Sequence, residues 1–185
     1  EHGADLTPEL IALFKENGVG RKSSLTCTVS PALPFVELDP EKTHSTEIQK
    51  VNGNIVYKGI VHAAQAALEA GIPVGLGTDS ACPYVTHYDM WREVVYFERI
   101  VGAPRKLAFH TATLGNARIL GLDDETGSIE VGKAADLIVL DENPLDNLEA
   151  LRQVKMVMAR GKLISGLSVK HLPELDRELD TFLPR

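Results

Sequence analysis

Two side chains stand where this sequence could do chemistry, an imidazole at position 2 and a carboxylate at position 79. Asp79 follows an apolar run of small residues in Pro73-Val74-Gly75-Leu76-Gly77-Thr78-Asp79-Ser80. Such a run suits a strand buried on both faces of a parallel sheet. The carboxyl ends of such strands are where α/β sheets and barrels place reactive groups. Asp79 is therefore a candidate catalytic residue; capping the turn after the strand is the competing use for an Asp here. His2 is either a ligand or a mobile terminal histidine. Together, a neutral imidazole and a carboxylate are good ligands for Zn²⁺ or a similar divalent ion. Such an ion brings the pKa of its water to about 7, and a neighbouring carboxylate can move that water's proton.

The remaining candidates carry weaker signals. Cys82 lies three residues after Asp79 with no evident base beside it, so an inert thiol is expected. His62 falls inside a helical pattern, and His110 and His171 read as structural. His44 sits in a loop of unknown use. Glu93 and Glu98 read as a solvated helix face. Gly75 and Gly77 do not form a dinucleotide fingerprint, because no third glycine opens a helix behind them.

The elements that must position these residues follow a parallel α/β grammar. Thr7 can cap a helix over 7–17, with Pro8 at its first position and Gly18 at its end. Residues 24–29 read as a strand and 32–53 as a long irregular stretch, a length often given to lids and binding loops. A helix over 55–70, the strand 73–77 and a helix over about 88–101 follow. Two strands cannot make a parallel sheet that covers itself, so further strands are expected upstream or from another chain. Two short helices are expected over 105–111 and 114–120. Short strands at 127–132 and 136–141 and a hairpin of 154–159 with 162–165 read as a small β-sandwich. An amphipathic terminal helix is expected within 167–185.

Composition sets the outer limits. The 185 residues are 44% hydrophobic and 24% charged, an ordinary globular balance. A net charge of −7 argues against a nucleic-acid partner. No apolar run reaches membrane-spanning length. Two cysteines, Cys27 and Cys82, are too few for a disulfide framework and fit a reducing, cytoplasmic setting.

Glu1-His2-Gly3, Gly77-Thr78-Asp79-Ser80, the helix TLGNARILGL at 113–122 and GSIEVGKAADLIVL at 127–140 together resemble the back half of an amidohydrolase-superfamily enzyme. The resemblance is to the imidazolonepropionase-like and prolidase-like metal-dependent hydrolases. It runs over nearly the whole chain, weakest in 32–53 and after 165. It implies the last part of a TIM-type (β/α)8 barrel, strands six to eight, in residues 1–122, and part of a small β-sandwich in 123–185. It further implies that His2 ends strand six as a metal ligand and that Asp79 ends strand eight as ligand and proton shuttle. Thr78, Ser80 and His87 become substrate-side candidates, His87 competing with a role at the start of the next helix.

Several residues that such enzymes use have no counterpart here: a His-x-His pair on strand one, a lysine on strand four and a histidine on strand five. Two ligands do not make a catalytic zinc site, which takes three from protein. The expectation is thus the carboxyl-terminal portion of a C–N hydrolase acting through metal-activated hydroxide, inactive alone. Its expected partners are a small-molecule or peptide substrate, the missing amino-terminal half and further copies of itself. The alternative is a non-catalytic scaffold or partner-binding module derived from a hydrolase barrel.

Overall fold

The computed structural model describes residues 1–19 and 22–183. The chain order is α1 (Pro8–Glu16), β1 (Leu25–Cys27), α2 (Leu33–Glu37), α3 (Pro40–Thr43), α4 (Glu47–Glu69), β2 (Val74–Leu76), α5 (Met90–Arg99) and α6 (Arg105–His110). A π turn (Thr111–Gly115) joins α6 to α7 (Asn116–Leu120). Then come β3 (Leu137–Leu140), a 3₁₀ turn (Leu148–Arg152), β4 (Val154–Ala159), β5 (Lys162–Ile164) and α8 (Pro173–Asp180). No helix among the described residues is long and apolar enough to cross a membrane.

The strands β1 and β2 pair in parallel, Leu25 opposite Val74, Thr26 opposite Gly75 and Cys27 opposite Leu76. All three residues of β2 are buried, as the small apolar run predicts. The long helix α4 is the crossover and packs five buried residues, Gly59, Ile60, Ala63, Ala64 and Ala67, inward. It starts well before the expected residue 55. Thr46 accepts from the Gln49 amide while the Gln49 side chain accepts from the Thr46 amide, a reciprocal cap that starts a helix without an apolar signal. The stretch 32–53 is therefore largely helical, with α2 packed on α4.

Gly59 is the tightest point of this layer. A Cβ there would collide with the Ala4 carbonyl oxygen, so only glycine lets the segment before α1 cross α4. That crossing carries His2 to the strand ends.

The region 105–120 is one helical run interrupted by a π turn, rather than two separate helices. The turn delivers Asn116 to β2, where its amide donates to the Leu76 carbonyl and accepts from the Leu76 N–H, both at 2.9 Å. Alternation along a strand turns those two groups away from β1. Gly75 leaves room for the approach, since a Cβ there would meet Asn116 Oδ1 at 2.9 Å.

The later strands form one antiparallel sheet in the order β3-β4-β5, with the expected hairpin across Arg160-Gly161. Residues 127–132 form no strand; they run through bends and a turn between two positive-φ glycines, Gly127 and Gly132. The alternation that suggested a strand has no partner there: Ile129 and Val131 are both exposed. The 3₁₀ turn and α8 return to the main core, where Leu148, Leu179 and Phe182 are buried. Glu93, expected on a solvated face, is wholly buried. Seven consecutive residues of α5, Trp91 to Phe97, are buried, so this helix has no polar stripe there. Glu98 is largely covered and pairs with Arg105 at 2.6 Å.

Replacing a mid-helix glycine by alanine ordinarily gains about 1 kcal/mol. At position 59 the sign reverses: Gly59→Ala is expected to destabilise the chain by at least about 1 kcal/mol in urea unfolding, because propensity cannot offset a backbone collision. Asn116→Leu, which strands both Leu76 groups, is expected to cost about 2 kcal/mol in the same measurement.

Candidate active site

The carboxyl ends of β1 and β2 gather the chemistry. Thr28 follows β1, Asp79 follows β2, and the 1–6 segment lays His2 between them. The His2 Nδ1 atom lies 2.7 Å from the Thr28 hydroxyl, and Nε2 lies 3.9 Å from Asp79 Oδ2. Thr28 is buried, whereas His2 and Asp79 are each about half exposed, with side chains 47% and 43% accessible. The imidazole is thus anchored through one nitrogen and turns the other toward the carboxylate.

The loop after β2 is backbone-strained. Asp79, Ala81 and Tyr84 all take positive φ, at 52°, 83° and 67°. Asp tolerates this region better than most residues, but alanine and tyrosine do not, and such clusters concentrate at working sites. Cys82 Sγ lies 3.2 Å from Asp79 Oδ2. That hydrogen bond, aided by partial burial, pushes the Cys82 thiol up, so a neighbouring carboxylate exists but makes the thiol less reactive. The Thr78 and Ser80 hydroxyls lie 3.0 Å apart beside Asp79. His87 is exposed and set edge-on to Tyr88, ring centres 5.3 Å apart, and it does not line the cavity described next. His62 is at the surface, 3.8 Å from Asp5.

A cavity of about 390 Å³ opens beside His2 and Asp79, walled mainly by Pro31, Ala32, Phe35, Val56 and Ile60. Gln49, Asn52 and Gly53 complete it. Its volume lies in the range of small-ligand pockets. The sequence marks 32–53 as a stretch of binding-loop length but not its helices, for which the Thr46-x-x-Gln49 spacing was the available signal.

Beneath the site lies Glu93. Its Oε1 accepts from the Val29 N–H at 2.6 Å, and Oε2 accepts from the Ser30 N–H at 2.8 Å and from the Ser30 hydroxyl. Burial pushes this carboxyl up to about 7, against the three donors that hold it down. Its titratable neighbours are Cys27 of β1 and Tyr96 of α5, both raised chiefly by burial. Thr28 and Glu93 carried no motif and were missed as parts of the site.

A profile of the amidohydrolase family matches residues 1–164, and the chain belongs to that family. It is 32% identical over 129 residues to 5-methylthioadenosine/S-adenosylhomocysteine deaminase of Bacillus thuringiensis, covering 64% of this chain and 29% of that protein. A Bifidobacterium longum protein assigned as a prolidase superposes with a TM-score of 0.91 at 40% identity, over 97% of this chain and 45% of its own. A Xaa-Pro dipeptidase with methionine bound in its active site superposes with a TM-score of 0.73 at 30% identity, over 89% and 39%. These likenesses imply a fold of the TIM-barrel type. The chain spans under a third of those curated relatives and under half of those solved chains.

A raised carboxyl pKa favours the folded state at low pH. The linked stability is fully present below the unfolded value near 4.5 and is lost as pH rises to about 7. Subtracting the urea-unfolding free energies of Glu93→Gln from those of the native chain is expected to leave a difference that falls with pH across this window and is flat above it. A flat difference throughout would contradict the assignment.

Proposed function

We propose that this chain supplies the carboxyl-terminal part of a metal-dependent hydrolase acting on a C–N bond in an amide, peptide or cyclic amide. Residues 1–122 would form the end of the barrel, with β1 as its seventh strand and β2 as its eighth, and 123–185 part of a β-sandwich. The observation that carries this reading is the approach of His2 Nε2 to Asp79 Oδ2, 3.9 Å apart at the carboxyl end of a parallel pair.

The donor set fits one side of a divalent ion. His2 Nε2 and Asp79 Oδ2 are donors of the kind a divalent ion takes, and would hold it from one side. Among the described residues no group of three or more His, Cys, Asp or Glu side chains could hold a metal. The remaining ligands are therefore assigned to the barrel strands that the longer relatives possess. When bound, zinc or a similar ion would supply Lewis-acid polarisation and acidify a water.

The chain's own residues do the rest. Thr28 holds the His2 ring by Nδ1. Asp79 is half exposed at the cavity mouth, where its carboxylate can take a proton and return it to a leaving nitrogen. The walls of Pro31, Phe35 and Val56 keep water off one side and suit an apolar group on the substrate. Thr78 and Ser80 remain substrate-side candidates, with His87 at the outer rim of the same loop. We assign the protein to the cytoplasm and expect it to self-associate.

The test is a fusion of this chain to the amino-terminal portion of the Bifidobacterium longum protein, assayed on dipeptides and N-acyl amides with added zinc. Turnover that is lost on chelation is expected, with kcat lowered about 10²- to 10⁴-fold by Asp79→Asn, and no turnover by the 185-residue chain alone. Activity of the chain alone, or a fusion unaffected by Asp79→Asn, would refute the proposal. A stable but metal-free and inactive fusion would favour the scaffold reading.

A further inference from the structure

The most deeply buried charged side chain in the site's neighbourhood is not one of its proposed ligands. Glu93 reaches from α5 to the first residues beyond β1, where the backbone has left the strand ladder and two amides need acceptors away from water. Both amides, and the Ser30 hydroxyl, donate to its carboxyl group. A carboxylate suits this place on chemical grounds. Its two oxygens accept from several donors at once, whereas an amide offers one oxygen and turns an NH₂ group against an N–H. A buried amide left without an acceptor is costly.

What this arrangement fixes is the segment 28–30, which leads from β1 into the turn at 30–32, and Thr28 belongs to it. The Thr28 hydroxyl is the partner of His2 Nδ1 at 2.7 Å. We infer that Glu93 is a positioning residue, locking the 28–30 segment so that Thr28 holds the His2 ring with Nε2 turned toward Asp79. This inference rests on the reading of His2 and Asp79 as a ligand pair. Glu93 itself lies beneath the segment and acts only through Val29, Ser30 and Thr28. The Thr28 hydroxyl can meet either tautomer; the form with Nδ1–H donating to Thr28 Oγ1 is the one that leaves the Nε2 lone pair free for an ion, and it is the one assigned.

The tautomer is the readout, since a carboxylate that merely stabilised the fold would not alter it. The experiment uses the full 185-residue chain, ¹⁵N-labelled and free of metal, at a pH where the imidazole is neutral. Long-range ¹H–¹⁵N correlation spectra would be recorded, with His2 assigned by its loss in His2→Asn. The native chain is expected to show His2 mainly as the Nδ1–H form. Thr28→Val and Glu93→Gln are each expected to shift the tautomer ratio toward Nε2–H by about five-fold, the equilibrium equivalent of one ordinary hydrogen bond.

A folded Glu93→Gln chain with the native ratio would overturn the inference, as would a native ratio in Thr28→Val. Should Glu93→Gln not fold, Ser30→Ala removes one of the three donors and carries the same test; a ratio shifted at least about two-fold is expected, and an unchanged one overturns the inference. Because this readout needs neither metal nor turnover, it separates the two ideas. A shifted ratio alongside a fusion enzyme indifferent to Asp79→Asn would leave Glu93 as the positioner of His2 and remove the hydrolase reading.

Discussion

The parallel register of β1 and β2 is the constraint on which the rest depends. Pairing Leu25 with Val74 and Cys27 with Leu76 makes both strands end at one level, so Thr28 and Asp79, which follow them, can both reach His2. An antiparallel pair would send them to opposite ends. With only three residues in each strand, the register is held largely from outside. Asn116 occupies the backbone groups of Leu76 on one flank, and Glu93 holds the chain as it leaves β1. Side chains here complete the hydrogen bonding that longer strands would provide for themselves.

The same economy governs the approach of His2. A histidine outside any helix or strand has no regular structure to aim it, and its backbone sits at a positive φ of 62°. The absence of a Cβ at Gly59 lets the 1–6 segment lie against α4, and the Thr28 hydroxyl fixes the ring. The groups that would meet a substrate are therefore half exposed, while those that orient them are buried. This is the arrangement expected of a site whose accuracy comes from its supports.

Part of the candidate site's geometry was legible in the sequence. The small apolar run before Thr78-Asp79-Ser80 announced a buried strand, and the resemblance singled out His2 and Asp79, whose side chains lie 3.9 Å apart. The supports were hidden for particular reasons. Glu93 lies in Trp91-Arg92-Glu93-Val94-Val95-Tyr96-Phe97, where every residue is buried; helical periodicity cannot reveal a covered face when no face is exposed. Its acceptors' partners are backbone amides 63 and 64 positions away, which leave no mark in a sequence. The start of α4 went unread because a reciprocal cap between Thr46 and Gln49, not an apolar stripe, sets it. Conversely, the glycine-flanked residues 127–132 looked like a strand but lack a partner, since alternation describes what a segment can do and pairing decides what it does.

The π turn at 111–115 holds one residue more than an α-helical turn would. Losing a position there would return the run to plain α-helix with little rotation of Asn116 against the strand, whereas losing one from α7 would turn everything beyond it by about 100°. Tolerance of a change in length is therefore concentrated in these five positions, while the flanking helices can vary in letter but not in length.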